Sequence, residues 1–230
     1  HLMPRADHLQ PLGIHHVHLP ADDVGGDFFD VKIVDDHRVA IYMGDVTGHG
    51  IPAAMSVGML KILFEHGDSE IANPAAVLQQ INRRFHAVTL DGDFATMFMG
   101  LIDRREGRLI YASAGHEIGY VLRADGGIDE LNTTGLLLGV DPEADYEMEA
   151  VPVARPDTIV LLTDGLIETM SPEGKPLGRP AVVDALAGGR DASSPPASPH
   201  DLADRLLRLA DAHRKNAPQL DDITLAVLRV

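Results

Sequence analysis

Four acidic positions in the sequence share a context that suits metal chemistry. Each lies next to the end of a hydrophobic run, beside a glycine or another acid: Asp27 in DVGGDFFD, Asp45 in GDVTGHG, Asp164 in LLTDG, and Asp221 with Asp222 in DDITL. If these runs are strands that end at one rim of a sandwich, the carboxylates come close together, and their pKa values rise unless cations bind. Oxygen ligands favour hard ions such as Mg²⁺ and Mn²⁺ over zinc, so the pattern predicts a hard-metal site.

Two divalent ions in such a site would support hydrolysis at phosphorus. Ions roughly 3.5–4 Å apart activate a water molecule and stabilise in-line displacement, so that no nucleophilic side chain is needed. A single Asp-Gly is usually only a turn, and the DDIT segment alone could be a solvated strand entry. The hypothesis therefore depends on the joint occurrence of all four signals.

The hydrophobic pattern that must position these acids is mostly one of short strands. Apolar runs between turn signals predict strands at residues 13–19, 27–34, 38–44, 94–101, 108–112, 118–123, 127–131, 147–153 and 158–163, with a last strand in ITLAVLRV. A spacing of about ten residues is typical of antiparallel sandwiches. The expected fold is α+β: a four-layer α-β-β-α sandwich, in which two antiparallel sheets are flanked by helix pairs.

Three helices are predicted from apolar periodicity and capping residues. The first covers residues 51–66, after a tight turn that Gly48 and Gly50 permit, and it carries one apolar stripe: Ile51, Ala54, Met55, Gly58, Met59, Ile62 and Leu63. The second covers residues 74–90, capped by Asn73, with a buried face of Val77, Leu78, Ile81, Phe85 and Val88. A last helix begins at Ser198 and Pro199, after a surface loop at residues 188–199.

Length and charge limit the class of protein. The 230 residues fit one large domain, and the net charge of −16 disfavours nucleic acid and anionic membranes as partners. The sequence has no cysteine, no apolar run of about 18 residues and no signal-peptide pattern, so the expected location is cytoplasmic. Because the chain begins at His1 rather than at Met, we expect it to be a fragment of a longer protein.

The motifs also resemble a known family. DVGGDFFD, GDVTGHGIPAA, FATMF, SAGH, LLTDGLIE and DDITLAVL occur in the order seen in the metal-dependent protein phosphatases (PPM, type 2C), and they are most similar to the bacterial SpoIIE-type branch of stress-response sigma-factor regulators. The resemblance runs from about Leu19 to Val230. It implies a serine/threonine protein phosphatase that uses two or more Mn²⁺ or Mg²⁺ ions and a metal-activated water to hydrolyse phosphoserine or phosphothreonine.

The resemblance also implies roles for individual residues. Asp45 matches the carboxylate that bridges both metals, and the Val46 carbonyl, Asp27 and Asp164 match further ligands, Asp27 directly or through water. In the last motif either Asp221 or Asp222 could be the ligand, and Asp221 is favoured because it matches the first acid. Together with Asp45, His49 is a catalytic candidate: it is near enough in sequence to be the general acid for the leaving serine oxygen, or it shapes the turn. For His116 in SAGH, a structural role is favoured.

The family branch implies partners as well. Its members commonly dephosphorylate a STAS-domain anti-sigma antagonist and carry an N-terminal sensor or receiver domain, so residues 1–230 are expected to be a single SpoIIE-like domain from the C-terminal part of a longer regulator. A homodimer is compatible with this arrangement. One alternative is a partner-binding regulatory module with vestigial catalysis, and another is a metal hydrolase for small phosphoesters. A zinc hydrolase site at His16 and His18 is disfavoured, because the other ligands it requires are absent.

Overall fold

The computed structural model describes residues 3–48, 50–65, 71–89, 92–188 and 197–230. The α+β class with two antiparallel sheets is confirmed, since the described helices and strands include two five-stranded sheets. In chain order the elements are α1 (Ala6–Leu9), β1 (Ile14–Leu19), β2 (Asp27–Ile33), β3 (Arg38–Val46), α2 (Gly50–Glu65), α3 (Pro74–Val88), β4 (Ala95–Asp103), β5 (Arg108–Ala114), β6 (Gly119–Leu122), β7 (Ile128–Leu131), β8 (Met148–Pro152), β9 (Thr158–Leu162), α4 (Asp164–Ile167), α5 (Arg179–Ala187), α6 (Pro199–Arg214) and β10 (Ile223–Arg229).

The chain forms two units, and each contains one sheet. The first unit consists mainly of Asp22–Glu117 and Asn132–Ala154, and the second of Arg5–Ala21, Ile118–Leu131 and Arg155–Val230. Among the described helices, none has the length and the apolar composition that crossing a bilayer requires.

The first unit has the strand order β2-β3-β4-β5-β8, with every neighbouring pair antiparallel. The interior strand β3 is apolar at successive positions, and Val39 to Met43 are buried on both faces of the sheet. Helices α2 and α3 pack against this sheet and close one core around Tyr42, Phe28 and Phe85. Strand β3 extends two residues beyond the predicted end, so Asp45 lies inside the strand rather than after it.

The predicted buried face of α2 is wrong. Ile51, Met55 and Ile62 are 72%, 67% and 61% exposed, whereas the face that packs on the core carries Ala53, Ser56, Val57, Leu60 and Phe64. The helix is apolar around most of its circumference, so two stripes with the same period compete. The second stripe is the buried one because it ends in Phe64, whose ring makes an edge-to-face contact with buried Tyr42.

Helix α3 agrees better with its prediction. The Asn73 side chain caps it by accepting a hydrogen bond from the Ala76 N–H at 3.1 Å. Val77, Leu78, Ile81 and Phe85 are buried as expected, but Val88 is 58% exposed because the helix ends there.

The second unit has the strand order β1-β10-β9-β6-β7, again antiparallel throughout. Helices α5 and α6 contribute to its core with Val182, Leu186, Leu202 and Leu206. As predicted, Ser198 caps α6, and Ser198 and Asp201 form a reciprocal capping box. Most of the predicted loop, residues 189–196, lies outside the described residues.

Candidate metal-binding motifs

In the first unit, Asp27 and Asp45 lie directly opposite each other on paired strands. Asp27 is the first residue of β2, and its register partner in β3 is Asp45. Asp27 is only 3% exposed. Two carboxylates on opposite positions of neighbouring strands are unfavourable unless a cation lies near them.

Gly26 allows the chain before Asp27 to pass close to Asp45 and Val46. A Cβ atom at Gly26 would lie 2.6 Å from the Val46 carbonyl oxygen and 3.1 Å from Asp45 Oδ1. Any side chain there would fill the space beside both oxygens. The Val46 N–H also donates to the Gly26 carbonyl at 3.1 Å, which fixes this approach.

A polar network holds the end of β3 that carries Asp45. The Asp45 N–H donates to Thr96 Oγ1 at 3.3 Å, and the same hydroxyl lies 2.8 Å from Nδ1 of His116. The backbone N–H of His116 donates to Ser113 Oγ at 3.0 Å. His116 therefore has a positioning role through Thr96. Sequence reasoning missed Thr96, although the FATMF motif contains it.

His49, in the turn predicted after Asp45, lies outside the described residues. Gly48 and Gly50 have φ values of +91° and +73°, a left-handed conformation that favours glycine. Helix α2 begins at Gly50. The choice between a general acid and a turn-shaping residue at His49 stays a prediction.

In the second unit, the Asp164 motif lies against the Asp221-Asp222 motif because β9 and β10 are neighbours. The Thr163 N–H donates to the Thr224 carbonyl at 3.1 Å, and the Thr224 N–H donates to Thr163 Oγ1 at 3.0 Å. Asp164 follows as the first residue of α4. A Cβ atom at Gly165 would lie 1.9 Å from the Asp222 carbonyl oxygen, so only glycine permits this contact.

Asp221 and Asp222 have different surroundings. Asp222 is 6% exposed, and its Oδ1 accepts the Ala21 N–H at 2.8 Å. Asp221 lines a cleft, and its Oδ1 accepts the Asp222 N–H at 2.8 Å. The pKa of Asp221 is raised overall. Burial is the main cause and the charge of Asp222 adds to it, whereas the hydrogen bond from the Asp222 N–H acts in the opposite direction. Asp222 thus holds the chain after β1, while Asp221 is the more accessible carboxylate.

The donor set suits the predicted ions within each unit. The first unit contains Asp27, Asp45 and the Val46 carbonyl, and the second contains Asp164, Asp221 and Asp222. All of these donors are oxygen atoms, as Mg²⁺ and Mn²⁺ prefer. In the part of the chain that is described, no group of three or more His, Cys, Asp or Glu side chains could hold a metal ion.

The histidines of β1 have structural surroundings. Nδ1 of His18 lies 2.9 Å from Thr224 Oγ1. Burial, together with the charges of His18 and His15, lowers the pKa of His16 to about 4. A neutral, partly buried histidine is compatible with a structural place in the strand.

Comparison with protein families agrees with the motif order. Residues 35–230 match the sequence pattern of the stage II sporulation protein E (SpoIIE) family. The phosphoserine phosphatase RsbU of Bacillus subtilis is 32% identical over 221 residues, which cover 96% of this chain and 64% of RsbU. Protein IcfG of Synechocystis is 27% identical over 244 residues, which cover 94% of this chain and 38% of IcfG. The chain thus spans less than two thirds of the length of either relative.

A solved structure has the same fold. The SiaA-PP2C domain of Pseudomonas aeruginosa matches 100% of this chain and 91% of its own chain, with a TM-score of 0.85 and 24% sequence identity. The fold is therefore that of the PP2C-type phosphatase domains.

Proposed function

Because the chain belongs to the stage II sporulation protein E family, we propose that it is a divalent-metal-dependent phosphatase for phosphoserine or phosphothreonine in a signalling protein. The observation that carries the proposal is the pairing of Asp27 with Asp45 beside Gly26. Two opposed carboxylates repel each other unless a cation lies near them, and glycine at position 26 leaves room beside Asp45 Oδ1 and the Val46 carbonyl.

The proposed ligands are oxygen atoms within each unit. In the first unit they are Asp27, Asp45 and the Val46 carbonyl, and in the second they are Asp164 and Asp221. Asp222 has the supporting role, since its carboxylate already accepts the Ala21 N–H. Bound Mn²⁺ or Mg²⁺ would supply water activation and neutralisation of phosphoryl charge.

The other residues of the motifs act by holding these oxygens in place. Thr96, braced by His116, fixes the backbone at Asp45. Gly26 keeps a side chain away from Asp45 Oδ1 and the Val46 carbonyl, and Gly165 permits the close approach of the Asp222 backbone. Support of this kind around a metal ligand typically changes affinity or activity by about 10–100-fold.

The substrate that we propose is a phosphorylated STAS-domain anti-sigma antagonist in the cytoplasm. The likeness to RsbU, a phosphoserine phosphatase, supports a phosphoprotein substrate. We further propose that this chain is the catalytic domain of a longer regulator with an N-terminal sensor or receiver domain. Its partial coverage of IcfG and RsbU supports that arrangement.

The test is phosphate release from a phosphoserine peptide and from phosphorylated STAS proteins of the same genome. We expect release with Mn²⁺, none after chelation, and a loss of at least about 100-fold in Asp45→Asn, since even supporting residues of metal sites reach that magnitude. Asp36→Asn is the matched control, because Asp36 lies in the exposed turn between β2 and β3. Tight binding of a STAS protein without any turnover would favour the binding-module alternative instead.

A further inference from the structure

A cleft in the second unit adjoins the accessible motif acid. Its volume is about 200 Å³, and its lining includes Gly165, Met170, Arg214, Pro218, Leu220 and Asp221. Sites for whole small-molecule ligands are usually larger, roughly 300–1,000 Å³. The size of this cleft therefore suits a side chain of a larger substrate better than a complete small molecule.

The rim of the cleft carries an exposed apolar residue directly before Asp221. Leu220 is 69% exposed, and Met170 and Pro218 line the same cleft. Transfer of apolar surface from water into such a contact is favourable. A substrate segment that covered Leu220 would thus gain binding free energy beside the proposed metal ligand.

Hydrogen bonds hold the segment that presents Leu220. The Gln219 side-chain amide donates to the carbonyl oxygens of Leu19 and Asp221 at 2.7 and 2.8 Å. The Arg214 guanidinium donates to Gln219 Oε1 at 3.2 Å and to Asp211 Oδ1 at 2.7 Å. Leu220 therefore lies between two anchored residues, and its exposure belongs to a built arrangement.

The charges around the cleft disfavour an acidic occupant. The positive charge of Arg214 is offset by its ion pair with Asp211. The remaining charged residues in the lining are Glu168 and Asp221, which are both acidic. The apolar rim is then the main source of favourable contact.

We propose that this cleft is a subsite for an apolar side chain flanking the phosphorylated residue of the protein substrate, with Leu220 as its main contact. The inference rests on the proposed phosphatase function, because a phosphoserine bound beside Asp221 would place its neighbouring side chain at the cleft. It assigns to Leu220 a specificity-determining role, whereas the acids carry the chemistry.

The test uses phosphoserine peptides that differ only at the residues on either side of the phosphoserine. With Mn²⁺, we expect the wild-type chain to prefer leucine over serine at one flanking position by about tenfold in kcat/KM, the lower end of what an apolar pocket contributes to discrimination. The difference between the two peptides should lie in KM rather than in kcat. Leu220→Ser should reduce the ratio of the two kcat/KM values to within about twofold, whereas Leu220→Met should retain it.

The matched control is Ile33→Ser, which removes an apolar side chain that is 64% exposed in the first unit. This variant should keep the wild-type ratio. Equal turnover of all peptides, or a leucine preference that survives in Leu220→Ser, would overturn the subsite while leaving the phosphatase intact. A preference for lysine would also overturn it, by pointing to Glu168. No turnover of any phosphopeptide would overturn the proposed function and the subsite with it.

Discussion

The first unit holds its motif acids inside a sheet, whereas the second holds them in connections that side chains brace. Asp27 and Asp45 are register partners on adjacent strands, so the sheet hydrogen bonds fix both backbones. Asp164 instead begins a four-residue helix, and Asp221 lies before β10 in a segment tied by Gln219. A strand pair can tolerate the loss of one side-chain contact better than a connection that depends on it.

Because of this difference, the motif aspartates have two separate roles, that of a proposed metal ligand and that of a structural support. In the first unit, both acids are proposed ligands, and glycine and threonine support them. In the second unit, one acid of the Asp-Asp pair is the proposed ligand and the other is a support. Substitutions at ligand and supporting positions are therefore expected to differ in whether they affect activity or stability.

The largest effect is expected when a proposed ligand is removed from either unit. Asp27→Asn and Asp221→Asn should each lower kcat/KM by at least about 100-fold, because they remove a metal ligand rather than a supporting residue. The measurement is phosphate release with Mn²⁺. Controls are Asp36→Asn and Asp125→Asn, exposed turn residues of the first and second unit. Retained activity in only one ligand variant would show that only one unit contributes.

Glycine substitutions should affect stability most in the second unit. At Gly165 a Cβ atom meets a backbone oxygen at 1.9 Å, against 2.6 Å at Gly26. Gly165→Ala should therefore lower the free energy of unfolding by at least about 1–3 kcal/mol, the usual cost of overpacking, and Gly26→Ala by less.

Gly58 in α2 is the control for these substitutions, since a Cβ atom there meets nothing within 4 Å. Gly58→Ala should raise the free energy of unfolding by about 0.5–1 kcal/mol, because glycine in a helix is less favourable than alanine. Urea titration measures all three variants. A cost for Gly26→Ala that exceeds the cost for Gly165→Ala would contradict the contrast between the units.

The Asp-Asp pair should divide into a structural residue and a ligand. Asp222→Ala leaves the Ala21 N–H without its carboxylate acceptor, which should cost about 1–3 kcal/mol of unfolding free energy. Asp221→Ala removes the acceptor of the Asp222 N–H, but at an exposed residue where water can replace it, so it should cost less than about 1 kcal/mol in metal-free buffer. If the stability loss fell on Asp221 instead, the assigned roles would be reversed.

The smallest effect concerns pH and His16 of β1, which is partly buried. The pKa of His16 is lowered from 6.5 to about 4 in the folded chain. As pH falls below 6.5, the unfolded chain binds a proton that the folded chain does not, so stability is lost until the pH reaches about 4. The loss at about pH 5.5 should be on the order of 1 kcal/mol.

His16→Gln removes this proton linkage. Relative to wild type, the variant should lose less stability between about pH 7.5 and pH 5.5. His8→Gln, at an exposed position of α1, is the control and should keep the wild-type difference. An unchanged pH dependence in His16→Gln would show that other groups carry it.

The sequence predicted the strands well because their signals are local. Apolar runs bounded by turns located every strand, with ends that shifted by up to two residues, as for β3 and β5. Helices α1, α4 and α5 were not predicted. Helices α1 and α4 have four residues each, and α5 has nine, of which only Val182 and Leu186 are buried, so none displays a clear stripe.

Packing choices could not be predicted from periodicity. Helix α2 has two apolar stripes, and only the position of Tyr42 against Phe64 shows which of them is buried. The support that Thr96 and His116 give to Asp45 was equally invisible, since these residues are far apart in sequence. The motif acids themselves were found because each lies beside a glycine or another acid at the end of an apolar run.

The most direct test of the account is phosphate release from a phosphoserine peptide as a function of Mn²⁺ concentration, with wild type and Asp45→Asn compared. Wild type should show no release in chelator and a saturable rise with Mn²⁺. The variant should need a Mn²⁺ concentration at least about 10–100-fold higher, or show no release at all. Two results would contradict the proposal that Asp45 holds the catalytic metal: wild-type release that is the same in chelator as with Mn²⁺, or a Mn²⁺ dependence of Asp45→Asn that is the same as that of wild type.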